Sequence, residues 1–364
     1  MSHSSTLMWV ATSAILGALL LGPGVSDAVP ERVYVLNLNS NDVSVIDVDS
    51  DTVVGTIPVG KFPHWMAISM GGKIGYVANE KSDSISVVDL ASMQPVRQVP
   101  TGKAAHWVLF SPDEALAYVS NINSDTVSVL DTTDHRVVAN VAVGKKPDDL
   151  IISPDGRRLF VSNFGSDSVS VIDTQSRSVV REVGTGKGPH WLVGVWPFVY
   201  VGHEGSEGVT VIDGRSLERV AMLPGGKGPH YVTTTSDRQF VFATNKKSHD
   251  VSVYDAGEHR LIATVKVGQT PDQAIQVPGK QLVYVTNMAS NTVSIVDLAS
   301  FKEVGQIPVG RRPHAGVFSK DGRKAYVSNQ LSDDVSVIDT ARHEVRKTIP
   351  VGKMPSHLVV PWAQ

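Results

Sequence analysis

One pattern, repeated eight times, dictates what this chain can fold into. A Tyr/Phe-Val-x-Asn segment recurs with its aromatic residue at Tyr34, Tyr76, Tyr118, Phe160, Tyr200, Phe242, Tyr284 and Tyr326, a spacing of about 42 residues. Each copy continues in the same order. A Ser/Asn/Asp turn is followed by a β-branched run such as Val43-Ser-Val-Ile-Asp47, then by Ile57-Pro-Val-Gly60 and by Pro63-His64. No stretch carries the 3.6-residue apolar period of a helix, so each copy reads as short strands joined by tight turns. Ser153-Pro-Asp-Gly156 and Ser319-Lys-Asp-Gly322 are type I turn sequences. Four such strands make a propeller blade.

The expectation is an all-β chain: a single closed eight-bladed β-propeller of four-stranded antiparallel blades. The chain starts on the second strand of a unit and finishes on a lone inner strand, His357 to Val360. That strand is expected to complete the first blade beside Tyr34 and so close the ring. The repeat spans 29–364 as one domain. Ahead of it, Leu7 to Gly22 is mostly apolar and leads to Ser26-Asp27-Ala28, the pattern of an export signal covering 1–28. This leader has no Lys or Arg, and an uncleaved anchor is the alternative reading. Export predicts a periplasmic or secreted protein with no membrane span in the mature chain.

Composition removes several functions. The chain has no cysteine, which excludes disulfides, thiolate metal sites, cysteine nucleophiles and covalent c-type haem. A net charge of -3 offers no basic field for nucleic acid. No nucleophile elbow, phosphate loop or His-Glu-x-x-His is present.

Tyr284-Val-Thr-Asn287 resembles the signature of the YVTN β-propeller repeat family, and the resemblance extends over the chain from Arg32 onward. It implies the fold; members include presumed binding or scaffold proteins. The Gly-Lys-x-Pro-His segments are also similar to segments in the propeller of nitrous oxide reductase, which implies channel histidines able to hold copper. Propellers of the haem d1 nitrite reductase group resemble the chain at the level of fold.

The residue after each loop proline opens an innermost strand and should line the mouth of the axial channel. Around the ring this position holds His64, His106, Asp148, His190, His230, Asp272, His314 and Ser356, with His357 one place later. Imidazole suits Zn, Cu, Fe and Ni, and the absence of Cys and scarcity of Met argue against a soft-ligand site; the resemblance to the nitrous oxide reductase propeller implies copper. The fifth copy departs from the rule: where the others have Asn, it has His203 followed by Glu204. His190, His203 and His230, with Glu204 near, are therefore the first-choice metal ligands. Trp65, Trp107, Trp191 and Tyr231 follow the ring position and could stack on a flat cofactor or pack between blades. The loops carry Lys61, Lys103, Lys145, Lys187, Lys227, Arg311 and Lys353, a ring of charge that would draw a small anionic ligand or substrate to the mouth. His135, His249, His259 and His343 read as surface residues, and the Asp closing each third strand as turn chemistry.

Three functions follow. The first is a copper-binding protein that uses the histidine cluster for redox chemistry, as a metal-dependent oxidoreductase, or for holding the ion, with redox or protein partners. The second is a binder or processor of an anionic tetrapyrrole of haem d1 type. The third is a scaffold for protein partners.

Overall fold

The computed structural model describes residues 31–361. The expected leader, 1–28, lies outside them. Among the described residues, no helix is long and apolar enough to cross a membrane. Eight four-stranded antiparallel sheets form a closed ring of blades, as the repeat predicts. Blade 1 takes its innermost strand, Pro355–Val359, from the far end of the chain and its other three from Arg32–Asn37, Asp42–Asp47 and Thr52–Pro58. Tyr34 lies opposite Val359 across that seam. Blades 2 to 8 each follow in sequence from an inner strand: Pro63–Ile68, Ala105–Phe110, Pro147–Ile152, Pro189–Val195, Pro229–Thr234, Pro271–Gln276 and Pro313–Phe318.

The residue pattern of each strand matches its place in the blade. The two middle strands are sandwiched between neighbouring blades, so both faces are buried; hence the Val- and Ile-rich runs with small Ser on alternate positions. The outer strand faces solvent and buries chiefly one residue, such as Ile57 or Val141. Eight apolar clusters result, each built at a contact between two blades. The seam cluster joins Val33, Val35 and Leu358 to Ala315, Tyr326 and Val335 and is packed like the rest. Each fully buried Val or Leu there contributes about 1.5–3 kcal/mol.

Turn chemistry is supplied locally. Asp47 accepts hydrogen bonds from the Ser50 amide and hydroxyl, and Asp89, Asp173 and Asp297 do the same for Ser92, Ser176 and Ser300. The regular Asp is thus turn chemistry, as its position suggests. Three outer histidines correct the surface reading. His135, His259 and His343 sit on outer hairpins, and their Nδ1 atoms meet the hydroxyls of Tyr76, Tyr200 and Tyr284 in the preceding blade at 2.6, 2.6 and 2.7 Å. They fasten blade to blade.

A second fastening fixes the channel end. In seven blades the Asn closing the second strand donates to a Ser seven residues on, as Asn163 does to Ser170 Oγ at 2.8 Å. The same Ser Oγ accepts from the Gly144 amide of the preceding blade at 3.1 Å. The Gly backbone lies so close that a Cβ on Gly144 would fall 2.5 Å from Ser166 Oγ and 2.6 Å from Asn163 Cγ. The loop glycines are therefore required by contact between blades. Gly144→Ala should lower stability by about 1–3 kcal/mol through overpacking. Gly184→Ala, with nothing within 4 Å of the added methyl, should leave it close to wild type. Urea midpoints of the two variants check this.

Candidate metal and ligand site on the propeller axis

Each inner strand carries a register shift just after its first residue. In blade 5, Pro189 pairs with His203 and the ladder resumes only at Leu192 and Val201. The shift re-aims the two residues inside it, here His190 and Trp191. All eight inner strands share it, so the chain builds two tiers around the axis.

The first tier is a continuous ring of contacts. His64 stacks on His106 at 3.7 Å between ring centroids. His106 Nε2 lies 3.2 Å from Asp148 Oδ1, and Asp148 Oδ2 lies 3.5 Å from His190 Nε2. His190 and His230 follow with centroids 4.3 Å apart. His230 Nε2 then meets Asp272 Oδ1 at 3.1 Å, and Asp272 Oδ2 meets His314 Nε2 at 3.3 Å. His314 lies 4.8 Å from His357, whose Nδ1 is 3.1 Å from the His64 carbonyl oxygen and closes the circle.

Two glutamates join the ring from the turn after the second strand. Glu80 Oε2 is 3.5 Å from His106 Nδ1, and Glu204 Oε1 contacts His230 Nδ1. In each of two groups, His64–Glu80–His106 and His190–Glu204–His230, one ligand atom per residue falls within 4.8 Å of the others. The Nδ1 atoms of His64 and His190 are buried without a hydrogen-bond partner. Lys246, on blade 6, places its Nζ 2.8 Å from Asp272 Oδ1 and 3.8 Å from Glu204 Oε1.

The charges follow from these contacts. Burial opposes protonation of His106, but Asp148 and Glu80 outweigh it and lift its pKa to about 9. His190, buried and next to His230, drops to about 4 despite Asp148. Burial pushes against ionisation of Asp148 and Glu204, yet the imidazoles hold both at about 2. Burial, reinforced by neighbouring imidazoles, keeps His64 and His357 well below the ordinary histidine value.

The second tier is aromatic. Trp65 and Trp107 stack at 3.6 Å, Trp191 meets Trp107 edge-on at 4.7 Å, and Tyr231 lies 4.1 Å from Trp191. These rings come from blades 2, 3, 5 and 6, so they pack on one another as well as against the cores between blades. Beneath them opens an apolar cavity of about 1080 Å³, lined by Trp65, Trp107, Leu109, Tyr231 and Phe318 among others.

The sequence placed His64, His106, Asp148, His190, His230, Asp272, His314 and His357 correctly at the axis. It misjudged His203. That side chain is fully buried, and its Nε2 lies 2.8 Å from Thr210 Oγ1 while Nδ1 faces the Ser206 hydroxyl at 3.1 Å. It takes the place of the Asn in the clamp between blades, with Thr210 for the usual Ser, and both nitrogens are used. Lys61, Lys103, Lys187 and Arg311 lie in exposed loops and Lys227 at the exposed end of the outer strand Glu218–Lys227, and their backbone amides donate to Ser hydroxyls of the next blade. None of these five cations makes a contact within the ring. Glu80 and Lys246 were missed. Both stand immediately after a clamp Asn, as Glu204 stands after His203, where the other copies have Leu38, Ile122, Phe164, Met288 and Gln330. Charge at that position was the available signal.

Residues 69–189 match the family model of the cytochrome D1 haem domain, and residues 279–361 match that of the YNCE-like β-propeller. No curated protein matches the chain significantly. Among solved structures, dihydro-haem d1 dehydrogenase NirN in complex with DHE is similar over 95% of this chain and 78% of its own, at 16% identity and a TM-score of 0.81. Apo AztD from Citrobacter koseri is similar over 91% of this chain and 97% of its own, at 16% identity and a TM-score of 0.71. Hydrazine synthase of Kuenenia stuttgartiensis aligns with 77% of this chain and 96% of its own, at 22% identity and a TM-score of 0.61. At these identities the likeness carries the fold, and it accords with a propeller of the YVTN type.

His203 gives a direct check. Burial holds its pKa down at about 4, so between that value and about 6.5 the unfolded chain takes up a proton that the folded chain refuses. Stability from this residue is therefore lost as pH falls through the window. His203→Asn should restore the clamp, and its melting temperature should gain on wild type progressively from pH 6.5 down to pH 4, as read by circular dichroism.

Proposed function

We propose that this chain is a divalent transition-metal-binding propeller whose ions sit on the axial ring, held by the two groups His64–Glu80–His106 and His190–Glu204–His230. The observation that carries this reading is the convergence of two imidazoles and one carboxylate within 4.8 Å in each group, with the Nδ1 atoms of His64 and His190 buried and unpartnered. A buried nitrogen without a partner is costly unless something meets it. Nitrogen and oxygen donors without sulfur suit Cu(II) and Zn(II), and copper stands highest in the affinity order for such donors. Three protein ligands leave coordination positions open, so a bound ion would supply Lewis acidity or redox chemistry to a small ligand. The exposed Lys and Arg of the loops would favour an anionic one. The leader-like segment supports a place outside the cytoplasm, in the periplasm or secreted.

A tetrapyrrole is the second reading, favoured by the match to the cytochrome D1 haem domain over 69–189, which spans Glu80, His106 and Asp148. There a ring imidazole would be the axial ligand and the loop cations would meet the carboxylates.

Titration of chelator-treated protein with Cu(II), followed by calorimetry, should give two equivalents bound. Glu80→Ala and Glu204→Ala should each remove one. Absence of binding at micromolar concentration would defeat the metal reading. An intense visible absorption band in protein from the natural host would favour the tetrapyrrole instead.

A further inference from the structure

We infer that Asp148 is a positioning residue shared by two metal sites, one carboxylate orienting an imidazole in each. This inference rests on the metal reading above. Its two oxygens face different partners: Oδ1 lies 3.2 Å from His106 Nε2, and Oδ2 lies 3.5 Å from His190 Nε2. An ionised carboxylate only accepts, so the ring nitrogen that faces it carries the proton. In His190 the lone pair is then left on Nδ1. That atom is buried with no hydrogen-bond partner, whereas His106 Nδ1 faces the Glu80 carboxylate at 3.5 Å and carries a proton that an arriving ion would displace. With Nε2 turned to Asp148 in both rings, Nδ1 is the atom each can offer to an ion, as with a carboxylate behind a metal-binding histidine.

The fold holds Asp148 in that place. The neighbouring Asp149 accepts from the Leu150 amide and the Leu192 amide, each at 2.7 Å, and so ties the inner strand of blade 4 to that of blade 5. Asp148 stands between two histidine-bearing blades because blade 4 has Asp where blades 3 and 5 have His. Asp272 repeats the arrangement in blade 7, with one difference. It faces His230 and His314, and only His230 belongs to a ligand group. His64 has no aspartate behind it among the contacts of the ring. The three-residue groups therefore differ: one has a single oriented imidazole, the other has two, and Asp148 is common to both.

The test measures Co(II) affinity and the ligand-field spectrum in chelator-treated full-length protein. Glu204→Ala isolates the first site and Glu80→Ala the second. Asp148→Ala should weaken both isolated sites by about 10- to 100-fold and alter both Co(II) spectra. Asp272→Ala should weaken only the second. Asp148→Asn keeps one acceptor oxygen and presents an amide N–H₂ to the other imidazole. It should therefore weaken one site while the other stays near wild type. Apo melting curves should place all variants as folded. If wild type binds no Co(II), the metal reading fails and the inference falls with it. If wild type binds two ions but Asp148→Ala touches only one site or neither, the sharing is wrong and the metal reading survives. Should Asp148→Ala fail to fold, Asp148→Asn decides, and wild-type affinity at both of its sites would overturn the inference.

Discussion

Every blade leans on its neighbour through a glycine that has no room for a methyl group. The loop entering an inner strand passes so near the clamp Asn of its own blade that its amide can bond the Ser that this Asn also holds, as in Gly60 with Ser86 and Gly268 with Ser294. The next residue's amide is held by another Ser in the following turn, in all eight blades. Backbone donors that would otherwise be lost on burial are thereby satisfied. The clamp also sets where the inner strand begins. A loop held less firmly would let the first residue after Pro drift, and the axial ring depends on that residue.

From this placement the two tiers follow. The register shift after each Pro turns consecutive residues toward the axis, one into the ring of imidazoles and carboxylates, the next into the aromatic layer. Because a ring of eight blades closes on itself, side chains far apart in sequence meet at short range: His64 with His357, Trp65 with Trp191. The aromatic layer separates the polar ring from the apolar cavity beneath it, so that the imidazoles stay buried and most titrate below their ordinary value. His106 and His230 are the exceptions, raised by their carboxylates.

The sequence showed the blade count, the strand order, the closing strand and the ring positions, because a repeat prints the same local chemistry eight times. Departures from the repeat were harder to read. His203 stood out as the single non-Asn, but its partner Thr210 seven residues on marked it as a replacement inside the clamp. The informative departures lay one residue further, at Glu80 and Lys246, in a position that varies among copies and so gave no rule to break. The Trp rings were legible as aromatic but not as mutual partners, since stacking across an axis is fixed by closure and not by local sequence. Asp148 and Asp272 read as members of the ring; that each spans two imidazoles emerges only when both oxygens have positions.

The central claim is that two ions lie on the axial ring, one in each His-Glu-His group. Crystals soaked in Cu(II) and measured at the copper absorption edge test it most directly. The account predicts two anomalous peaks, one bounded by His64, Glu80 and His106 and the other by His190, Glu204 and His230. A map with no peak on the axis, or with peaks only at exposed surface histidines such as His249, would contradict it.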